Sequence, residues 1–533
     1  MSNTETNHKN GHVEKFAEKE VKKVDVWRYK KYICKVKNLD ISTGSRAIVL
    51  NEDEAKGHDI YWGYRTQISK SNGDSLVAIV DVTNELVKPG EIGIFTDVCK
   101  DLKLKNGDKL EILHLDQPDS VKYIKKKLDG ENLKPDEVNT IVKEIMDDKL
   151  SEIETSAWIS AAYVRGFSDE EVIALTHATV ASGHKLELGK SPIVDKHCIG
   201  GVAGNRTTMI IVPIIACTNL YIPKTSSRSI TSPSGTADTF ELLADVELPI
   251  EEMKKIVLKS HGAIVWGGGM NLAPVDDKLI RIRHPLSLDP EGMLLASILG
   301  KKKCVGAQHV IIDIPVGRGA KIPYVEKAQQ LGDHFIKIGK SIGMNIEVLI
   351  TDGAEPVGNG VGPALECIDV LNVLNGKGPE DLRHKSIFMS GKLLELAGLC
   401  NPGKGYDIAL DLIKNGKALK KMMQIIELQG GDPKIKIDDL PVGQYTYDVK
   451  AERDGRIFHI DNKAISKIAR IAGAPRDSGA GMYVHRIRGD HVLKGDKLFT
   501  IYAESEQKLS FAIKALEGLE PIEFRKMLLG EMK

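Results

Sequence analysis

The feature that most limits how this chain can fold is a unit that recurs from Pro192 onward: a short apolar run, a glycine-rich turn and a helical stretch. Ile193–His197, His309–Pro315 and Asn345–Thr351 each read as a strand followed by such a turn. Strands alternating with helices pair in parallel, because a parallel neighbour is reached only through a long crossover. The centre of the chain is therefore expected to be an α/β domain with a mostly parallel sheet.

The flanks have other textures. From about Val26 to Leu115, β-rich runs (Arg46–Leu50, Ser75–Val82, Lys109–Leu115) are separated by Gly, Asn and Asp turns, the pattern of a small N-terminal β-barrel. After Gln117-Pro118-Asp119 the pattern turns helical: Pro135 with Asp136 and Glu137 opens one helix, and the capping box Ser168-x-x-Glu171 opens another. The stretch 276–303 also reads as helical and is expected to return to that helical domain, leaving a cleft beside the α/β body. From Tyr447 to Ala503 the runs shorten, with turns at Asp454-Gly455, Arg488-Gly489-Asp490 and Lys494-Gly495-Asp496. The expected organisation is a disordered tail (1–24), a barrel-like domain (25–117), a helical domain (118–190 with 276–303), the α/β domain (191–275 and 304–440) and a C-terminal β-rich, α+β module (441–533).

Composition narrows the function classes. A chain of 533 residues is too long for one hydrophobic core. Lys plus Arg and Asp plus Glu are each 74, so no global basic field exists to hold nucleic acid, and any anion site must be local. The longest apolar stretch, Thr208 to Cys217, is about half the roughly 20 residues of a membrane span and contains Pro213. Residues up to Val24 lack the apolar centre of a signal peptide, so a cytoplasmic protein without membrane association is expected. The cysteines form no C-x-x-C pair, which predicts reduced thiols and no zinc site. No other metal-ligand spacing stands out.

Two segments concentrate the chemistry. In Asp195-Lys196-His197-Cys198-Ile199-Gly200-Gly201-Val202-Ala203-Gly204-Asn205-Arg206-Thr207-Thr208, a strand end, a glycine loop and a helix start combine into an anion site. Lys196 adds a charge and Thr208 a hydroxyl; an ordinary tight βα turn is the plainer alternative. The second segment, Pro223 to Asp238, is dense in Ser and Thr, and Thr236 reads as the cap of the next helix. A solvated polar loop would look similar, but two donor-rich loops in one domain point to an oxyanion ligand. His197 is either a satisfied core histidine or a site group. Two other motifs fail: His184 stands where a Walker A loop needs its first glycine, and Gly358-x-Gly360-x-Gly362 has the wrong spacing for a dinucleotide fingerprint. The latter reads as a turn before the helix containing Ala364 and Leu365.

Together with Leu286-Ser287-Leu288-Asp289-Pro290-Glu291-Gly292 and Ala296–Leu299, these segments recur in the same order in the thymidine phosphorylase and AMP phosphorylase family. The chain resembles that family from about Val26 to its C-terminus. The resemblance implies a pentosyltransferase that cleaves a base–sugar bond with inorganic phosphate as co-substrate and no other cofactor or metal. It implies phosphate contacts from Lys196, Cys198, Gly201, Thr208, Ser226 and Thr236. Around the base it implies His197, Ser297 and Lys301. For a nucleotide it implies Gly201, Thr236, Ser297, Lys321 and the run Ser227, Arg228, Ser229, Ile230, Thr231 and Ser232, with Asp289 as proton donor beside the alternative His197. Cys198 departs from the serine of the pyrimidine enzymes and is a weaker donor. Arg281 and Arg283 both stand near the place of a base-binding arginine.

The Cys198 form of the loop, Ser232-Pro233 and Ile264–Gly268 look most like bacterial relatives. The expected reaction is thus thymidine plus phosphate to thymine and 2-deoxyribose 1-phosphate; the alternative is AMP phosphorolysis to the base and ribose 1,5-bisphosphate. A magnesium-dependent phosphoribosyl transferase and a non-catalytic nucleotide-binding regulator are the competing classes. The expected partners are the nucleoside or nucleotide and phosphate, with the chain in a homodimer or larger homo-oligomer.

Overall fold

The computed structural model describes residues 32–229 and 232–525. The expected tail, Ile230 and Thr231 lie outside the described residues. The chain divides into two compact units, one ending at Pro118 and including Asp147–Ser151, the other comprising Asp119–Met146 and Glu152 onward.

The first unit is a closed six-stranded barrel of Tyr32–Asn38 (β1), Ala47–Asn51 (β2), Arg65–Ser69 (β3), Ser75–Thr83 (β4), Glu91–Ile94 (β5) and Lys109–Leu115 (β6). Around the barrel the order is β1-β5-β2-β4-β3-β6. Alternation sets the inside: along β1, Tyr32, Cys34 and Val36 are buried and the residues between them exposed. Ile48, Leu50, Ile68, Val80, Ile92 and Ile112 fill the interior. Closure leaves no unpaired sheet edge.

The second unit begins with the helices Ser120–Leu128, Pro135–Met146, Glu152–Arg165 and Asp169–Ala181. Glu171 joins them: its carboxylate closes the capping box on Ser168 N at 2.7 Å and accepts from Leu133 N at 2.8 Å. Lys127 Nζ lies 2.8 Å from both its oxygens, so this buried charge is fully compensated. Helices Pro274–Arg283 and Glu291–Cys304 pack against the same bundle.

The strands Val194–Cys198 (β7), Ile222–Ser226 (β8), Gly262–Trp266 (β9), His309–Val316 (β10) and Asn345–Asp352 (β11) form the parallel core. They pair as β11-β10-β7 and β8-β9, and a parallel bridge between Ile193 and Tyr221 connects the two sets. This is the α/β sheet that the repeated strand–turn–helix unit implies. The apolar stretch after the glycine loop is the helix Thr207–Ala216, whose residues are all buried despite Pro213. Among the described residues no helix is long and apolar enough to cross a membrane.

Beyond the short strand Gly360–Val361 (β12), the C-terminal region contributes Tyr445–Lys450 (β13), Gly455–Ile460 (β14), Gly481–Val484 (β15), His491–Val492 (β16), Lys497–Ala503 (β17) and Ile522–Phe524 (β18). They form two antiparallel sheets, β12-β15-β17-β13 and β16-β14-β18. Against them packs the amphipathic helix Asn462–Ile471, whose start is capped by Asp461 through Lys463 N at 2.7 Å and Ala464 N at 3.2 Å.

Candidate active site

Ligands of open parallel sheets bind beyond the carboxyl ends of the strands. There the chain runs from β7 into the Ile199–Gly204 loop, from β8 into the serine-rich loop and from β10 into Gly317–Lys321. Gly201 fits only as glycine: its φ is +91°, and an added Cβ would lie 2.5 Å from Lys321 N, so the first and third loops touch at this point.

The residues flanking β7 form a buried cluster of charge. Lys196 Nζ donates to Thr207 Oγ1 at 2.8 Å and lies 3.6 Å from Asp313, which is also 3.3 Å from Lys385. On the other side, Asp195 lies 2.7 Å from Lys302 and 3.3 Å from Lys224. These lysines outnumber the carboxylates two to one, burial and the neighbouring Lys302 and Lys196 bring Lys224 down to about 7, and among the described residues Lys385 Nζ has no hydrogen-bond partner. Burial alone would raise both aspartates; Lys224 and Lys302 hold Asp195 below the usual carboxylate range, and Lys196 and Lys385 do the same for Asp313. Burial, reinforced by Lys302, Lys224, Lys196 and Lys301, keeps the His197 imidazole well below its ordinary range, so it is neutral at physiological pH.

Cys198 Sγ accepts weakly from Gly200 N and Asn205 Nδ2, both at 3.4 Å. Burial and Asp313 push its thiol up to about 11, so it stays protonated. Thr208 is buried in the first turn of its helix. Thr236 is not the helix cap: Gly235 holds that position, and Asp238 reaches back to Gly235 N at 2.8 Å and Ser229 N at 2.7 Å. The Thr236 hydroxyl instead accepts from Arg206 Nη1 at 3.1 Å, and Arg206 also pairs with buried Glu366.

Within the serine-rich run, Ser232 Oγ donates to Ser229 Oγ at 3.3 Å and to Ser234 O at 3.0 Å. Arg228 is engaged by Glu241 at 2.6 Å and Glu247 at 2.8 Å and stacks 5.1 Å over Trp266, which commits it to this acidic pair. Ser226 Oγ donates to Val265 O at 3.1 Å, whereas Ser227 and Ser232 are exposed. Ser297 and Lys301 meet on Asp276, at 2.7 and 2.6 Å, a carboxylate absent from the sequence-derived set. Asp289 is exposed rather than enclosed in a desolvated cleft, and it pairs with Arg283 at 2.8 Å and Lys321 at 2.5 Å. Arg281 points away, toward Glu152 at 3.6 Å, so Arg283 is the arginine beside the site.

A cleft of about 750 Å3 opens over Gly201, Ala203, Ser232 and Lys321. Its far wall is the C-terminal helix Asn462–Ile471, which supplies Lys463, Lys467 and Arg470. No motif marks these residues, because their relation to the loops exists only after folding. Among the described residues no group of His, Cys, Asp and Glu is placed to hold a metal ion.

A helical bundle beside a parallel sheet whose strand ends carry a glycine loop over buried lysines is the arrangement of a glycosyl transferase family. Family models agree: the glycosyl transferase family helical bundle domain matches residues 121–183, the a/b domain of that family residues 190–419, and the pyrimidine nucleoside phosphorylase C-terminal domain residues 457–523. The AMP phosphorylase of Pyrococcus furiosus is 47% identical over 93% of this chain and 98% of its own length. That of Methanosarcina mazei is 46% identical over 93% and 97%. A solved structure, anthranilate phosphoribosyltransferase (TrpD) from Thermus thermophilus, aligns with 58% of this chain at 16% identity and a TM-score of 0.49. The chain belongs to the thymidine phosphorylase and AMP phosphorylase family of pentosyl-transferring enzymes.

Proposed function

We propose that the protein phosphorolyses a nucleoside 5′-monophosphate, with AMP the preferred substrate, giving adenine and ribose 1,5-bisphosphate. The relatives named above are AMP phosphorylases over nearly their whole length, which favours this reading over the thymidine reaction that the loop details suggest. The single observation that supports phosphate as the attacking group is the excess of buried lysine around β7. Such an excess is costly unless an anion completes it, and a phosphate dianion supplies the missing charge.

In this reading Lys196, Thr208 and the glycine loop hold phosphate, with the Cys198 thiol a weak neighbour. A phosphate oxygen attacks C1′ while the C1′–N9 bond breaks and its electron pair passes to the adenine ring, which takes up a proton. Orienting the attacking anion contributes roughly 7–11 kcal/mol in well-aligned systems. Neutral His197 can present a ring N–H to the base but cannot act as an imidazolium acid. Lys321 is the nucleotide-side cation; when a substrate phosphate draws it from Asp289, that carboxyl keeps only Arg283 and becomes the candidate proton donor.

The test is phosphorolysis of AMP, CMP, thymidine and uridine with and without phosphate, following free base and sugar phosphate. Phosphate-dependent adenine release with formation of ribose 1,5-bisphosphate is expected. Thymidine turnover exceeding that of AMP would overturn the assignment.

A further inference from the structure

The helix Asn462–Ile471 buries Ala464, Ile465, Ile468 and Ala469 in the C-terminal core. Its opposite face carries Lys463, Lys467 and Arg470, spaced four and three residues apart and therefore aligned. Like charges at this spacing repel one another, so the row does not stabilise the helix. All three side chains are exposed and line the cleft over Gly201, and neither Lys463 nor Lys467 forms an ion pair among the described residues. With Lys321 they make a cleft lined by four cationic side chains and no carboxylate, in a chain whose formal net charge is zero.

The row is fixed against the glycine loop rather than left on a loose surface. Asn462, 2% exposed, accepts from Ala203 N at 3.1 Å and donates to Gly353 O at 3.0 Å. This clamp joins the helix both to the loop after β7 and to the turn after β11. Asp461 already satisfies the first amides of the helix, which leaves the recognition of an anion to the side chains.

We propose that Lys463, Lys467 and Arg470 form a phosphomonoester subsite that holds the 5′-phosphate of the nucleotide and so separates nucleotides from nucleosides. The proposal rests on the nucleotide reading above and adds a residue set from the C-terminal domain. The same chemistry could hold the inorganic phosphate co-substrate. The lysines around β7 are the proposed holders of that anion, and the two KM values measured below separate the two sources.

The test uses the full-length chain with the Lys463→Ala/Lys467→Ala pair and, beside it, Lys463→Arg/Lys467→Arg. Measured are the KM for AMP at saturating phosphate, the KM for phosphate at saturating AMP, the thermal midpoint and the calorimetric affinity for ribose 5-phosphate. Both positions are exposed, so an unchanged midpoint is expected. The alanine pair should raise the KM for AMP and weaken ribose 5-phosphate binding by about tenfold or more, with the KM for phosphate within about twofold. The arginine pair should restore most of the loss, and added salt should weaken AMP binding more in the wild type than in the alanine pair. Unchanged affinity for AMP and ribose 5-phosphate would overturn the subsite, as would a rise confined to the KM for phosphate. Wild-type turnover of thymidine but not AMP would refute the functional reading instead. The subsite would then stand or fall on ribose 5-phosphate alone: loss of binding in the alanine pair upholds it, and equal or absent binding in both proteins refutes it.

Discussion

Lys196 keeps its ammonium between Thr207 and Asp313, where it serves both the fold and the anion site. Lys196→Ala should destabilise the protein by only about 1–3 kcal/mol, because Thr207 loses a buried partner while Asp313 keeps Lys385. Phosphate is expected to raise the Tm of the wild type and not that of the variant; thermal unfolding with and without phosphate reads both effects. The titration of His197 is expected to shape stability rather than the pH dependence of activity near neutrality. Its folded pKa lies below the unfolded value, so the unfolded chain takes up a proton first as pH falls. Stability is thus fully present above about pH 6.5 and declines below it. His197→Asn should flatten that decline in urea unfolding followed between about pH 7 and pH 5. Asp289 and Lys321 form a pair that substrate is proposed to separate, so a double-mutant cycle of Asp289→Asn and Lys321→Ala on kcat/KM for AMP should be non-additive by about 0.5–3 kcal/mol. Additive losses would mean that the pair has no joint role. At this scale the sequence exposes Lys196, His197 and Cys198 because they share one strand end. It hides Asp313, Lys302 and Lys385, which reach the same place from β10 and from two separate helices. Arg228 is grouped with the serines by its place in the chain, and no motif marks Glu241 and Glu247 as its ion-pair partners.

Period and punctuation carried the elements. Ile193–His197 and β7 differ by one residue at each end, and His309–Pro315 and Asn345–Thr351 lie within β10 and β11, because each strand is a short, largely apolar run bounded by turns. The capping box at Ser168 was equally legible, since both of its partners are local. Thr236 was not, because Asp238 provides the reciprocal contact to Gly235 and leaves the threonine for an arginine thirty positions away. The contact between the loops after β7 and β10 is likewise invisible in a linear motif. It yields a sharp expectation: Gly201→Ala forces a side chain into the backbone of Lys321 at a left-handed position. The variant should lose about 1–3 kcal/mol of stability in urea unfolding. Its KM for AMP should rise at least as much as in Lys321→Ala. A folded Gly201→Ala enzyme with wild-type kinetics would show that the two loops act separately.

Across the whole molecule, charge is balanced in sum and uneven in place. In the proposed reaction the lysine cluster around β7 and the basic cleft supply the positive charge that phosphate chemistry demands, so phosphorolysis is expected to persist in excess chelator. Activity lost in chelator and restored by magnesium would instead favour the phosphoribosyl transferase class. The barrel, the bundle and the parallel sheet each announce themselves through local texture, whereas the use of the C-terminal helix as a cleft wall depends on long-range packing. The Asn462 clamp gives that packing a consequence in time. Its two ends are 259 positions apart, and a ribosome adding roughly 5–20 residues per second needs about 13–50 s to cover that interval. During this period the growing polypeptide carries an anion loop whose opposing wall has yet to be made, so a chaperone or a bound phosphate has its longest opportunity to guard the exposed glycine turn before the last domain arrives to shut it in.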